Sequence, residues 1–204
     1  MAEPGAMLRV ARLVSILVHP VVVMAAAAVV AAGDGPSPAL RWQALAVVVV
    51  AATGVMVYSM SKTRSGRWVH VDASQRHERA QLNRFASWWL LVLAVGLAMA
   101  GAHAGVVAAI ALSGGIVLAG HLLRRWLKSS LHVAFAAFAT GIAWPHVAAA
   151  GVLLAATVAV AWSRLVLRRH VPAELLSGSL LGAAAGAALH AIVQGWIPAP
   201  APTP

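Results

Sequence analysis

Cysteine is absent from the 204 residues, so neither a disulfide framework nor a thiolate metal site is available. Acidic residues are almost as scarce: five stand against fifteen Lys and Arg, and two of the five (Glu3 and Asp34) lie far from the polar loops, so no carboxylate cluster offers to bind a metal. Charge of either sign makes up 10% of the chain, against roughly 25% in soluble domains, which excludes an ordinary water-soluble globule. No internal repeat is evident. Residues 1–197 read as one domain, and the Pro/Ala-rich tail at 198–204 cannot continue a helix and is expected to be disordered.

What remains is apolar. The chain is 61% hydrophobic with a mean hydropathy of +0.85. Seven apolar runs, at about 8–32, 40–60, 84–101, 105–123, 130–145, 147–163 and 173–195, each approach the ~20 residues that cross a bilayer. The expected fold is an all-α polytopic bundle of about seven transmembrane helices, with a six-helix core as the alternative. The first run is longer than a signal-peptide core. Gly33-Asp34-Gly35-Pro36, Gly101 to Gly105 and Trp144-Pro145-His146 mark turns, and the Ala/Gly-rich later runs suit close helix packing in lipid. The formal charge of +10 is spread through short loops rather than gathered on one surface, which fits lipid headgroups, phosphate ligands and topology signals better than nucleic acid.

Three loops, 61–84, 124–130 and 164–172, carry nearly all the charge. They follow the second, fourth and sixth runs, so seven crossings would place all three on one membrane face. In the third, Pro172 suits a first helical position, leaving His170 just outside the helix and Glu174 one turn in. Two readings of that pair are open. The carboxylate either fixes the imidazole tautomer, leaving the second ring nitrogen with its lone pair outward, or it merely caps the helix beside an interfacial histidine. The second loop, Lys128-Ser129-Ser130-Leu131-His132, opens into a helix; with Ser130 as N-cap its amides favour an anion, and His132 falls beside them. A capped helix with an interfacial histidine is the alternative there. The first loop offers Lys62, Arg64, Arg67, Arg76, Arg79 and Arg84, with Arg76 and Arg79 on one helix face if Ser74 caps it. Guanidinium forks match phosphate oxygens, whereas basic residues that only set orientation are the plainer account.

Taken together, Ser163-Arg164, five residues, His170, three residues, Glu174, then Gly178 and Gly182 resemble the third motif of the type-2 phosphatidic-acid phosphatase superfamily, where an Asp is usual at the Glu174 position. Ser130-Leu131-His132 resembles the second, with leucine in place of glycine. The first motif, a lysine, six residues and then Arg-Pro, is absent: Val69 stands seven residues after Lys62, and Asp72 with Arg76-His77-Glu78-Arg79 resembles a divergent branch instead. The resemblance covers roughly residues 60–185. It implies a lipid phosphatase in which His170 attacks phosphorus, Glu174 orients it, and His132 protonates the leaving oxygen and then activates water. Arg164, Ser130, the Leu131 amide and first-loop cations (Arg76, Arg79, Lys62) would hold the phosphoryl oxygens, with neither metal nor cofactor. Lys128 joins that set by position alone.

Of the fifteen Lys and Arg, only Arg41 falls on the face opposite the three loops, and Arg9 and Arg12 lie with them. The positive-inside tendency therefore predicts an inner-membrane protein with its N-terminus and site cytoplasmic. The expected partner is a lipid phosphate in the bilayer: a polyprenyl-linked sugar phosphate, a phosphatidylglycerophosphate-like lipid or a prenyl diphosphate. An outward-facing polyprenyl diphosphate phosphatase is the alternative, and a non-catalytic scaffold or transporter, or a haem protein using spanning histidines, the alternatives of another class. His19 and His190 read as buried structural hydrogen bonders, and His103 and His146 as turn residues on the opposite face. Trp68, Trp88, Trp89, Trp126, Trp144, Trp162 and Trp196 read as interfacial belt residues.

Overall fold

The computed structural model describes residues 4–33, 38–71, 73 and 75–195, and every regular element among them is an α-helix. In chain order these are α1 (Pro4–Leu17), α2 (Pro20–Ala31), α3 (Pro38–Arg64), α4 (Arg76–Met99), α5 (Ala104–Leu123), α6 (Leu131–Ile142), α7 (Val147–Val166) and α8 (Pro172–Val193). Helices α3, α4, α5, α7 and α8 have 20–27 residues and are apolar enough to cross a bilayer. At 1.5 Å per residue they reach about 30–40 Å. The chain is a polytopic helical membrane bundle.

Two of the seven expected crossings differ, each for a local reason. The first apolar run is broken into α1 and α2, bent by 49°. Pro20 has no N–H to give the Ile16 carbonyl and pushes the preceding residue out of the helical region, so His19 is extended (φ −68°, ψ 143°). The Ile16 carbonyl takes the His19 amide instead, at 3.2 Å, and Pro20 opens α2 as its first residue. The fifth run yields α6 with 12 residues, about 18 Å and short of the hydrocarbon core. Among the described residues, five helices long and apolar enough to cross, or six with the bent pair counted as one span, thus replace seven.

The first polar loop is also shorter than the sequence suggests. Helix α3 runs on to Arg64 and α4 starts at Arg76, so Arg76, Arg79 and Arg84 are helical. Gln75, not Ser74, occupies the N-cap position of α4. Ser74 and Asp72 lie outside the described residues, as do Asp34, Gly35, Pro36, Trp196 and the 198–204 tail.

Helices α6 and α8 pack closely because glycine lines their seam. A Cβ added at Gly178 would sit 2.5 Å from the Ser130 carbonyl oxygen, one at Gly141 would sit 2.8 Å from the Gly186 Cα, and Gly182 abuts the Ala134 carbonyl. Small residues four apart on a lipid-embedded helix permit this approach. Trp89 is sunk against Gly54 with its Nε1 donating to the Ala51 carbonyl at 3.1 Å, and Trp68 is buried with Nε1 donating to Gln81 Oε1 at 3.2 Å. These two tryptophans are packing pins, not belt residues; Trp88, Trp126, Trp144 and Trp162 are exposed. At the far end of the bundle from the His170 loop, Arg41 reaches across from α3 to the Ala32 and Gly33 carbonyls, closing the C-terminus of α2.

Candidate phosphoryl-transfer site

A cavity of about 1760 Å³ opens where the loop after α5, the loop after α7 and the start of α4 meet. Arg76, Arg79, Lys128, Leu131, His132, Arg164, His170 and Glu174 all contribute to its wall. The three polar segments of the sequence are therefore brought to one place. Two proposed ligands stand apart. Lys62 places its Nζ 5.3 Å from the centre of the Tyr58 ring and does not line the cavity. Ser130 is fully buried behind it, its hydroxyl unpartnered, and that hydroxyl makes no cap bond although Ser130 occupies the N-cap position of α6.

The end of α7 shapes the third motif. The Arg169 amide bonds the Arg164 carbonyl at 3.0 Å and the Arg168 amide bonds the Leu165 carbonyl at 2.9 Å, a Schellman turn with Arg168 left-handed at φ 51°. The chain then turns back so that His170 faces Glu174 in the first turn of α8. Glu174 Oε2 lies 2.8 Å from His170 Nδ1 and 3.3 Å from the Val171 amide. A carboxylate only accepts, so Nδ1 carries the proton and Nε2 keeps its lone pair. Burial, and next the Lys128 ammonium, hold the His170 imidazole down at about 4, against the raising pull of Glu174. Burial likewise lowers Lys128, whose Nζ donates to the Arg169 carbonyl at 2.8 Å.

Arg164 is 5% exposed. Its Nη2 lies 2.7 Å from His132 Nδ1, and its Nη1 donates to Ser15 Oγ at 3.0 Å. Arginine has no acceptor, so His132 takes this bond on a bare Nδ1 and carries its proton on Nε2. Ser163 Oγ donates to the Ala11 carbonyl at 2.8 Å, which fastens this end of α7 to α1. The start of α6 is tied to α8: the Ser130 amide bonds the Glu174 carbonyl at 3.1 Å, and the Ser129 and Ser177 hydroxyls share a hydrogen bond.

Glu78 is 1% exposed, and its two oxygens accept the Val69 amide at 2.8 Å and the Gln75 amide at 2.9 Å. It folds the loop back onto α4 and sets Arg76 and Arg79 at the cavity. His190 Nε2 pairs with the Gly141 carbonyl at 2.8 Å, a structural bond between α8 and α6. His19 makes a structural hydrogen bond as expected, its Nδ1 accepting the Val21 amide, but it is exposed rather than buried and also lines the cavity, its ring edge-on to His132 with centroids 5.4 Å apart. Ser15 and His19 were the site neighbours that motif spacing missed, because they precede all three motifs; the signal available was Ala11, Ser15 and His19 recurring every four residues before a proline.

Away from the charged end the same cavity continues between apolar side chains, including Met24, Val48, Met56, Leu90, Ile110 and Phe135. From Arg124 to Ile110 along α5 it extends about 20 Å into the bundle. No family model, curated protein or solved structure matches the chain.

Proposed function

We propose that the chain is a metal-independent lipid phosphatase of the type-2 phosphatidic-acid phosphatase kind. The observation that carries this reading is the His170–Glu174 pair, which leaves an unprotonated Nε2 in a cavity shared with Arg164, Lys128, Arg79 and His132. A buried neutral imidazole oriented by a carboxylate is a competent nucleophile. The Nε2 lone pair forms a bond to phosphorus while the bond from phosphorus to the lipid oxygen breaks. The leaving oxygen takes the proton on His132 Nε2, and the Arg164 guanidinium turns from His132 Nδ1 onto the phosphoryl oxygens, where charge needs stabilising. Water then attacks the phosphohistidine, giving up a proton to His132 as the N–P bond breaks and inorganic phosphate leaves.

A lipid substrate is favoured because the charged end of the cavity continues into its apolar depth, matching a phosphate head on a hydrocarbon chain. The charge bias of fourteen to one toward the motif side supports a cytoplasmic site in the inner membrane. The test is phosphate release by purified protein in mixed micelles over a panel of lipid mono- and diphosphates. His170→Ala is expected to abolish release and an acid-labile phosphoenzyme. Turnover equal in wild type and His170→Ala on every active lipid would overturn the reading.

A further inference from the structure

We propose that Ser15 and His19, from the break in the first apolar run, are positioning residues of this site: Ser15 holds the Arg164 guanidinium and the His19 ring holds the plane of His132. The proposal rests on the phosphatase reading for its kinetic consequence, but its geometric content stands separately.

Ala11 and Ser15 lie four apart on one line of α1, and His19 follows just past the end of that helix, at the break. Each meets the machinery at a different point. The Ala11 carbonyl receives Ser163 Oγ, Ser15 Oγ receives Arg164 Nη1, and the His19 ring stands at 89° to His132. A serine in an apolar helix commonly turns its hydroxyl back to its own helix; this one, 8% exposed, serves a guanidinium on α7. Arg164 thereby has a fixed point on each side, Ser15 on Nη1 and His132 on Nη2.

The break is what makes this possible. Were α1 and α2 continuous, residue 19 would be an ordinary helical position. Pro20 instead forces His19 extended, and the Val21 amide donates to His19 Nδ1 at 3.3 Å, locking the ring by the same interaction that caps α2. The ring therefore has two separable functions, capping α2 and bracing His132. Asparagine retains a capping oxygen and deletes the ring; phenylalanine retains the ring edge and deletes the cap.

Full-length Ser15→Ala, Ser15→Thr, His19→Asn and His19→Phe proteins are compared in detergent by the ¹⁵N signals of the His132 imidazole, by thermal midpoint, and by kcat and KM on an active lipid phosphate. Ser15→Ala and His19→Asn are expected to shift the His132 signals and lower kcat about tenfold or more, with KM within about threefold. Ser15→Thr and His19→Phe should stay nearer wild type in the His132 signals. Unchanged His132 signals in both Ser15→Ala and His19→Asn would overturn the proposal, as would a silent His19→Asn beside a damaged His19→Phe, since His19 would then only cap a helix. If wild type turns over no lipid phosphate, the phosphatase reading fails while the His132 signals still decide the positioning role.

Discussion

Gly178→Ala adds one methyl group at the point where α8 meets the N-cap of α6. Its Cβ would stand 2.5 Å from the Ser130 carbonyl oxygen, 3.3 Å from that residue's carbonyl carbon and 3.4 Å from its nitrogen. The obstruction is backbone, which no rotamer change relieves, so one helix must move by about 0.9 Å to recover an ordinary contact. Overpacking of this kind costs about 1–3 kcal/mol. For a chain of this length that corresponds to a thermal midpoint roughly 2–12 °C lower. The displaced segment carries His132 two residues on, and its amide bond to the Glu174 carbonyl sets it against the His170 loop. A shift approaching 1 Å there costs up to about 10²-fold in rate. Gly151→Ala on α7 is the matched control, because a Cβ there meets nothing within 4 Å and gains up to about 1 kcal/mol of helix propensity. The assay is a thermal scan of both variants in the same detergent, followed by phosphate release well below both midpoints. Equal midpoints and equal activities for the two alanines would refute the packing argument.

Four further outcomes follow from the same geometry. Glu174→Gln should lower kcat by about 10²–10⁴-fold with little change in KM, because an amide no longer enforces the Nδ1–H tautomer of His170; a kcat within threefold of wild type would count against the pair. With His170 held at about 4, kcat/KM should stay flat as pH falls through 6.5 and drop only near that lower value, where the nucleophile takes a proton. Lys128→Met removes a cation that opposes that protonation, so the acid limb should move to higher pH, and an unmoved limb would contradict the assignment. Arg168→Gly relieves a left-handed arginine and should stabilise by about 0.5–1 kcal/mol, read as a raised thermal midpoint; a lowered one would show that the arginine side chain matters more than the turn.

Much of the bundle was legible because apolar run length is a direct report of the bilayer. The failures came where a local rule overrode that length. Pro20 broke a 25-residue run that hydropathy alone reads as continuous, and α6 ends at Ile142 although apolar residues go on to the Trp144-Pro145 turn. The polar start of α4 hid eight helical residues, since Arg and Glu depress hydropathy without opposing helix formation. At the site, His170, Glu174 and Pro172 were readable because their geometry is local to one helix start. Ser130 does take the expected N-cap position, but that position does not say which way the hydroxyl points. Ser15 and His19 act across about 150 and 110 residues of chain, and nothing in their spacing names Arg164 or His132 as partners.

The turn that closes α7 joins Arg164 and His170 through a single hook of backbone, pinned by the Arg169 amide at one strand of the hook and by Lys128 at its carbonyl. The cation that would grip the phosphate and the nitrogen that would attack it therefore hang from one hook of backbone, so the main-chain anchor of one cannot be moved without the other, although the guanidinium can still turn. Changes in lipid preference have little room on that hook. They have more on α3 and α4, which line the deep apolar half of the cavity with residues such as Val48, Met56 and Leu90 and carry none of the paired histidines. Arg76 and Arg79 on α4 tie these helices to the charged end, but on the phosphatase reading the apolar depth can change what is accepted while the His170 hook is kept.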